Sequence, residues 1–313
     1  MNMEMTALLT ELDSLPDLGV KSPALPGKIA YRAGGISFGM FSDGDVSLKL
    51  DEGIQDFAVN PADCDVTTHI SLVDRLTYPD KTPLFRSGGL WALFEEPEGY
   101  RFSFLRPFEG ETPYKEAWFD SEFKNGRVRL SRKFFNETTA TYPLEYPLDE
   151  LMMIHRLSRG LGVEVHAVGI VDQDKRGHLF LGHSGAGKST TARLWSRESG
   201  VHILSDDRIV LRLDQGQMRM YGTPWHGDAG IASPDSALLH SIYFLEHGKA
   251  NKICQLSNNL AAAELFARSF VPRHCREGLQ FALSFLERVA LQIPCHSFQF
   301  VPDGSAVEAI RRA

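Results

Sequence analysis

The first half of the chain alternates. Between about Gly27 and Arg132, short runs with an apolar residue at every second position are separated by turn pairs: Gly34-Gly35, Asp43-Gly44, Gly88-Gly89, Glu98-Gly99 and Asn125-Gly126. In Arg127-Val128-Arg129-Leu130 both apolar side chains fall on one face of an extended strand, because successive Cβ atoms of a strand point to opposite sides. The same pattern predicts strands over residues 36–41, 46–50, 66–72 and 100–105. Asn125-Gly126, between runs 118–123 and 127–134, predicts a hairpin turn. This half therefore reads as antiparallel β, with Trp91, Phe94, Phe102 and Phe104 as core. Ahead of it, residues 5–15 read as a short amphipathic helix, followed by a proline-containing linker.

The period changes near Pro147. Leu151, Ile154, Leu157 and Leu161 share one face of a helix over residues 151–161. Strands follow at 163–171, 177–181 and 201–204, with a helix over 188–198 before the third. Runs 209–213 and 218–221 form a hairpin across Gln215-Gly216. A strand over 241–245 and helices over 260–270 and 278–291 complete the pattern. Strands alternating with helices predict an α/β core. The chain thus divides into a helix and linker at 1–21, a β-rich domain at 22–147 and an α/β domain at 148–313.

Composition narrows the function. The 313 residues are 43% hydrophobic and 23% charged, which supports a packed core. Lys plus Arg number 33 against 40 Asp plus Glu, a net charge of −7, which argues against nucleic acid and anionic membranes as partners. No apolar run reaches the roughly 18–20 residues that span a bilayer. The first residues carry Glu4, Glu11 and Asp13 and lack the basic start and apolar stretch of a secretory signal. Cys64, Cys254, Cys275 and Cys295 are scattered without Cys-x-x-Cys spacing, so structural zinc and a disulfide framework are not expected. A cytoplasmic protein with free thiols is the expectation.

The concentrated chemistry lies in Gly182-His183-Ser184-Gly185-Ala186-Gly187-Lys188-Ser189-Thr190, a full match to the phosphate-binding pattern G-x-x-x-x-G-K-[ST]. It follows the apolar run His178–Leu181 and opens a helix, which is the context the motif requires. Gly182, Gly185 and Gly187 permit backbone conformations that side chains block, so that successive N–H groups form an anion nest. The helix N-terminus adds partial positive charge. Lys188 is expected on the β and γ phosphates of ATP and Ser189 on Mg²⁺, with the amides of Gly182, Ser184, Gly185, Ala186, Gly187 and Thr190 completing the cradle. One helix and one strand later, an apolar run ends in Asp206-Asp207. In open parallel sheets ligands bind beyond the carboxyl ends of strands, so both carboxylates are expected near the γ-phosphate. One holds the metal and the other accepts a proton from an incoming hydroxyl. Arg208 either neutralises phosphate or pairs with Asp207. Arg268 and Arg273 are further candidates for reaching the nucleotide from the edge.

The stretch from Glu164-Val165-His166-Ala167-Val168-Gly169 through Gly182–Ser189 to Ser205-Asp206-Asp207-Arg208 resembles the catalytic domain of HPr kinase/phosphorylase, which shares its P-loop architecture with the phosphoenolpyruvate carboxykinases. The likeness spans about 45 residues. It implies an α/β P-loop kinase core of that type behind a β-rich N-terminal region, and ATP-dependent phosphoryl transfer to a hydroxyl of a protein serine or a small molecule. It further implies Asp206 as the base, Asp207 as a metal support, His166 beside the transferring phosphoryl group, and a homo-oligomer. The sequence departs from the family at Thr190-Thr191, where an acidic residue is usual, and it lacks a clean E-x-R-G-x-G segment. The nearest counterpart is residues 222–230, where Asp228 is the candidate metal ligand and Trp225 or His226 a candidate contact to nucleotide or substrate. Two alternatives remain. One is an adenylate-kinase-like metabolite kinase, although no dense arginine lid is visible. The other is an ATP-binding regulatory protein whose β-rich half recognises a partner.

Overall fold

The computed structural model of the protein describes residues 27–106, 110, 112–136 and 139–313, so the helix and linker expected over 1–21 lie outside the described residues. The alternating half forms strands β1 (Lys28–Ala33), β2 (Ile36–Ser42), β3 (Val66–Val73), β4 (Phe85–Ser87), β5 (Trp91–Glu96), β6 (Gly99–Phe104), β7 (Lys115–Asp120) and β8 (Asn125–Ser131). They make one eight-stranded sheet in the order β1-β2-β3-β8-β7-β6-β5-β4. The wholly antiparallel reading is corrected, because β3 runs parallel to both its neighbours, β2 and β8. Two further differences have physical causes. Residues 46–50 alternate, with Val46 and Leu48 buried, but form no strand and pair only through a Leu48–Thr141 bridge. A side chain takes the first of these amides instead, with Val46 N donating to Ser42 Oγ at 3.2 Å, while the adjoining Asp45 carboxylate accepts from Leu72 N of β3 at 2.8 Å. Asn125-Gly126 lies at the start of β8 rather than in the turn. The turn precedes it, held by the Asp120 carboxylate, which accepts from the N–H groups of Lys124 and Asn125 at 2.9 and 3.0 Å. Gly126 is needed for packing, since a Cβ there would lie 2.2 Å from the Phe119 ring.

Helix α1 (Leu148–Leu157) closes this half. It begins three residues earlier than its pattern suggested, with Asp149 and Glu150 favourably placed in its first turn. Leu148, Met152, Met153 and Leu157 enter the core formed with Phe38, Phe102 and Phe119. Each such fully buried side chain contributes about 2 kcal/mol of transfer free energy.

Beyond it come β9 (Val163–Val171), β10 (Gly177–Leu181), α2 (Lys188–Trp195), β11 (His202–Ser205), β12 (Arg208–Asp214), β13 (Gln217–Gly222), β14 (Ser236–His247), β15 (Lys252–Gln255), α3 (Asn258–Ala267), β16 (Ser269–Phe270), α4 (Arg276–Gln292), β17 (Cys295–Phe300) and α5 (Ser305–Arg311). The hairpin across Gln215-Gly216 joins β12 to β13. The nine strands form a mixed sheet in which β10, β14 and β17 run parallel and β9 runs antiparallel to β10. Its strands read as nearly continuous apolar runs because both faces are covered. Leu179, Leu181, Ile242 and Phe244 pack with α3 and α4, while Phe180, Tyr243 and Leu245 pack with Trp195 of α2 and Ile310 of α5. The architecture is mixed α/β with two large sheets. Among the described residues no helix is long and apolar enough to cross a membrane.

β9 is the hub of the second sheet. Its C-terminal half pairs with β10 on one edge and β11 on the other, and its N-terminal half with β16 and β12. β10 and β11 are therefore parallel to each other with β9 between them. The expectation of an open parallel sheet, with the strand after the helix beside the loop, is corrected to a mixed arrangement one strand wider. The glycine-rich segment leaves β10 opposite Ala167, and Asp206-Asp207 turns from β11 into β12 on the other edge. The Ala167 amide donates to Asp207 O at 3.0 Å and the His166 amide to Arg268 O at 2.8 Å. His166 thus sits between the two turns.

Candidate functional site

The Gly182–Gly187 loop joins β10 to the N-terminus of α2. Gly185 and Gly187 adopt φ of 80° and 104°, a region that side chains disfavour. Gly187 has a second reason to lack a side chain, since a Cβ would lie 2.5 Å from the Phe300 ring. Beside Gly185 the space is open. The first intrahelical bond of α2 runs from Thr191 N to Gly187 O at 2.8 Å. The N–H groups of Lys188, Ser189 and Thr190 therefore stand at the mouth of the helix without intrahelical acceptors. Lys188 is buried, and its amino group donates to Gly182 O at 2.9 Å and His183 O at 3.4 Å. Burial pushes its pKa down; Asp207 opposes that, while Arg268 and Arg208 reinforce it.

The loop opens onto a cleft of about 420 Å³. Of the residues singled out from sequence, His166, Ser184, Gly185, Gly187, Lys188, Ser189, Thr190, Asp206, Asp207 and Asp228 all line it. Gly182 is buried at the loop's base, its carbonyl taken by Lys188, and a Cβ on it would meet Ala186 Cβ at 2.6 Å. His183 points outward, where Nε2 meets the Arg268 guanidinium at 2.9 Å. His247, not anticipated from sequence, holds Gly185 O at 2.7 Å.

The two aspartates are used differently. Asp206 is buried, and its carboxylate accepts three main-chain N–H groups from one loop. Oδ1 takes Gly227 at 2.9 Å and Ile231 at 3.3 Å, and Oδ2 takes Ala229 at 2.8 Å. Gly227 rests against it so closely that a Cβ would lie 3.0 Å from Oδ2. Asp207 is half-buried and faces His166, whose Nε2 donates to Oδ1 at 2.8 Å. The Arg208 guanidinium holds Oδ2. Burial works to raise the Asp207 pKa, but the His166 hydrogen bond, Arg208 and Lys188 outweigh it, so the carboxyl is held below its usual range.

Arg208 is itself enclosed. Its Nε donates to Glu150 Oε1 at 2.6 Å and lies 3.5 Å from Glu164 Oε1, and its guanidinium lies 4.1 Å from the centre of the Phe270 ring. The structural alternative for Arg208 is therefore the one observed. Glu164 is fully buried with neither carboxylate oxygen hydrogen-bonded. Burial first, then the Glu150 charge, drive its pKa well above the usual range. Sequence reasoning missed Glu150 and Glu164, because each looks like an ordinary acid in its own element. Arg268 reaches the loop through His183 and packs over the Phe244 ring at 5.6 Å. Trp225 packs against the core of the eight-stranded half, while His226 is exposed.

Among the described residues no three His, Cys, Asp or Glu side chains are grouped to hold a metal by themselves. Ser189 and Asp207 nonetheless present the hard oxygen donors that suit Mg²⁺ when phosphate oxygens complete its shell. The loop amides and Lys188 match a polyphosphate.

No protein-family model matches the chain, and no curated protein matches it. Among solved structures, the HPr(Ser) kinase/phosphatase from Coxiella burnetii is similar at 17% identity, over 48% of this chain and 93% of that one, with a TM-score of 0.29. A likeness that loose carries no functional argument, so the functional reading rests on the site.

Proposed function

We propose that this chain is a phosphotransferase that binds Mg²⁺-ATP in the cleft and moves the γ-phosphoryl group to a hydroxyl, of a protein serine or of a small molecule. One observation carries the reading: the lysine-bearing glycine loop at the start of α2 opens onto the same cleft as the His166–Asp207 pair and Asp206. Lys188 exchanges its two loop carbonyls for phosphate oxygens, and the amides at the α2 N-terminus hold the phosphates in line. Ser189 and Asp207 hold Mg²⁺, with Asp228 at the rim as a further oxygen donor. When bound, Mg²⁺ neutralises charge on the β and γ phosphates. His166, fixed by Asp207, faces the transferring group. Asp206 is the carboxylate for the acceptor proton, held in place at the cleft by the amides of Gly227, Ala229 and Ile231.

The test is incubation with γ-labelled ATP and Mg²⁺, with and without host lysate depleted of nucleotides, beside the Lys188→Met variant. Label passing to a protein or metabolite only in the wild type supports the reading and delivers the acceptor. Tight ATP binding with no label transferred and no phosphate released would refute it in favour of a nucleotide-gated binding protein.

A further inference from the structure

We propose that Glu150, on the helix that closes the eight-stranded half, is a positioning residue for phosphoryl transfer that acts through Arg208 on Asp207. The proposal rests on the phosphotransferase reading and adds to it a residue that precedes the whole glycine-loop region.

The geometry is a relay of three side chains. Glu150 Oε1 accepts from Arg208 Nε at 2.6 Å, the Arg208 terminal nitrogen holds Asp207 Oδ2, and Asp207 Oδ1 receives His166 Nε2 at 2.8 Å. An arginine fork has a fixed planar shape, so a partner that fixes Nε also fixes where the terminal nitrogens point. Phe270 removes the remaining freedom by closing one face of the guanidinium at 4.1 Å. Glu164 lies farther from Nε, at 3.5 Å against 2.6 Å for Glu150, and neither of its oxygens is hydrogen-bonded, so Glu150 is the partner that fixes the fork. These contacts engage Arg208 on its inner side and orient Asp207, which lines the cleft, whereas Arg208 does not line it.

Glu150 is itself held from outside the nine-stranded sheet. It is buried, and its helix packs Met152, Met153 and Leu157 into the core of the first half. The position of Asp207 is therefore set from α1, an element that contributes nothing to the nucleotide loop. A carboxylate displaced by about 1 Å in such a site costs up to a hundredfold in rate.

The experiment compares Glu150→Gln, Arg208→Lys and the double variant in label transfer and in ATP binding, together with a crystal structure of Glu150→Gln. Glutamine keeps an oxygen near Nε but loses the charge, and lysine loses the fork. The expected result is a fall in kcat of about tenfold or more for each single variant, with the KM for ATP within about twofold of wild type. The double variant should be no slower than the worse single one, because both break the same relay. In the crystal the Asp207 carboxylate should have withdrawn from His166. Should Glu150→Gln fold poorly, Glu150→Asp, one methylene short, should show the same split between kcat and KM. Wild-type turnover by Glu150→Gln overturns the proposal, as does an Arg208→Lys protein whose only defect is weak ATP binding. A wild type that transfers no label brings down the phosphotransferase reading by itself. The crystal structure then decides the relay: an undisturbed His166–Asp207 contact in Glu150→Gln refutes it.

Discussion

Replacing Asp206 by asparagine separates two roles that the position carries. If the residue served only as a proton acceptor, Asp206→Asn would stop transfer and leave the fold untouched. The structure implies a second cost. Oδ1 accepts from Gly227 and Ile231, and Oδ2 from Ala229. An asparagine can offer its oxygen to only one side. In the better orientation its amide nitrogen faces the Ala229 N–H, so one charge-assisted bond becomes a donor–donor contact and the other two weaken to neutral bonds. A hydrogen bond to a charged group is worth roughly 1.5–3 kcal/mol against about 1 for a neutral one, so even at the low end of that range the lost bond and the two weakened ones together cost about 3 kcal/mol. That lowers the folded-to-unfolded ratio roughly a hundredfold and Tm by about 6 °C if the chain unfolds as one unit. The assay is thermal and urea denaturation of wild type and Asp206→Asn, with ATP binding measured on the folded protein. A variant as stable as wild type would refute the clamp between Asp206 and the loop at Gly227–Ile231.

Lys188→Met should weaken ATP binding by about tenfold or more in titration calorimetry, since it removes the cation at the loop while keeping the stem. Gly126→Ala should destabilise the fold by about 2 kcal/mol in urea denaturation, because the new methyl lands 2.2 Å from the Phe119 ring. The buried His155 imidazole stacks on Phe123 at 4.5 Å, and burial lowers its pKa from 6.5 to about 3. The unfolded chain therefore takes up this proton first, and wild type should lose stability relative to His155→Phe as pH falls from 6.5 toward 3, by an amount on the order of a few kcal/mol. Parallel stability curves across that range would contradict the assignment.

Much of this arrangement was legible from periodicity. The largely apolar runs at Val163–Val171 and Gly177–Leu181 are strands with both faces covered, and their ends match the pattern because a charged or turn residue bounds each. The grouping of Lys188, Ser189, Asp206 and Asp207 on one cleft was readable from a motif and a spacing. The direction in which each aspartate turns its oxygens was not, because Asp206 is set by a loop some twenty residues downstream and Asp207 by His166 on a neighbouring strand and by Arg208. Local alternation failed where a side chain took over a backbone hydrogen bond, as Ser42 does for Val46. Asn125-Gly126 misled because Asp120, five residues earlier, captures the turn. The parallel setting of β3 and the meeting of Glu150 with Arg208 are products of chain crossing, which no local pattern encodes.

The central place of β9 has a consequence for the order of events during synthesis. This strand leaves the ribosome before all of its neighbours, and the four that flank it arrive in turn. The last of them, β16, carries Phe270, the ring that closes over Arg208, and Arg268, whose carbonyl fixes the His166 amide, stands immediately before it. Until that stretch has emerged, half of one edge of β9 stays open. A growing chain can therefore hold the complete glycine loop while the cleft beside it is still unfinished.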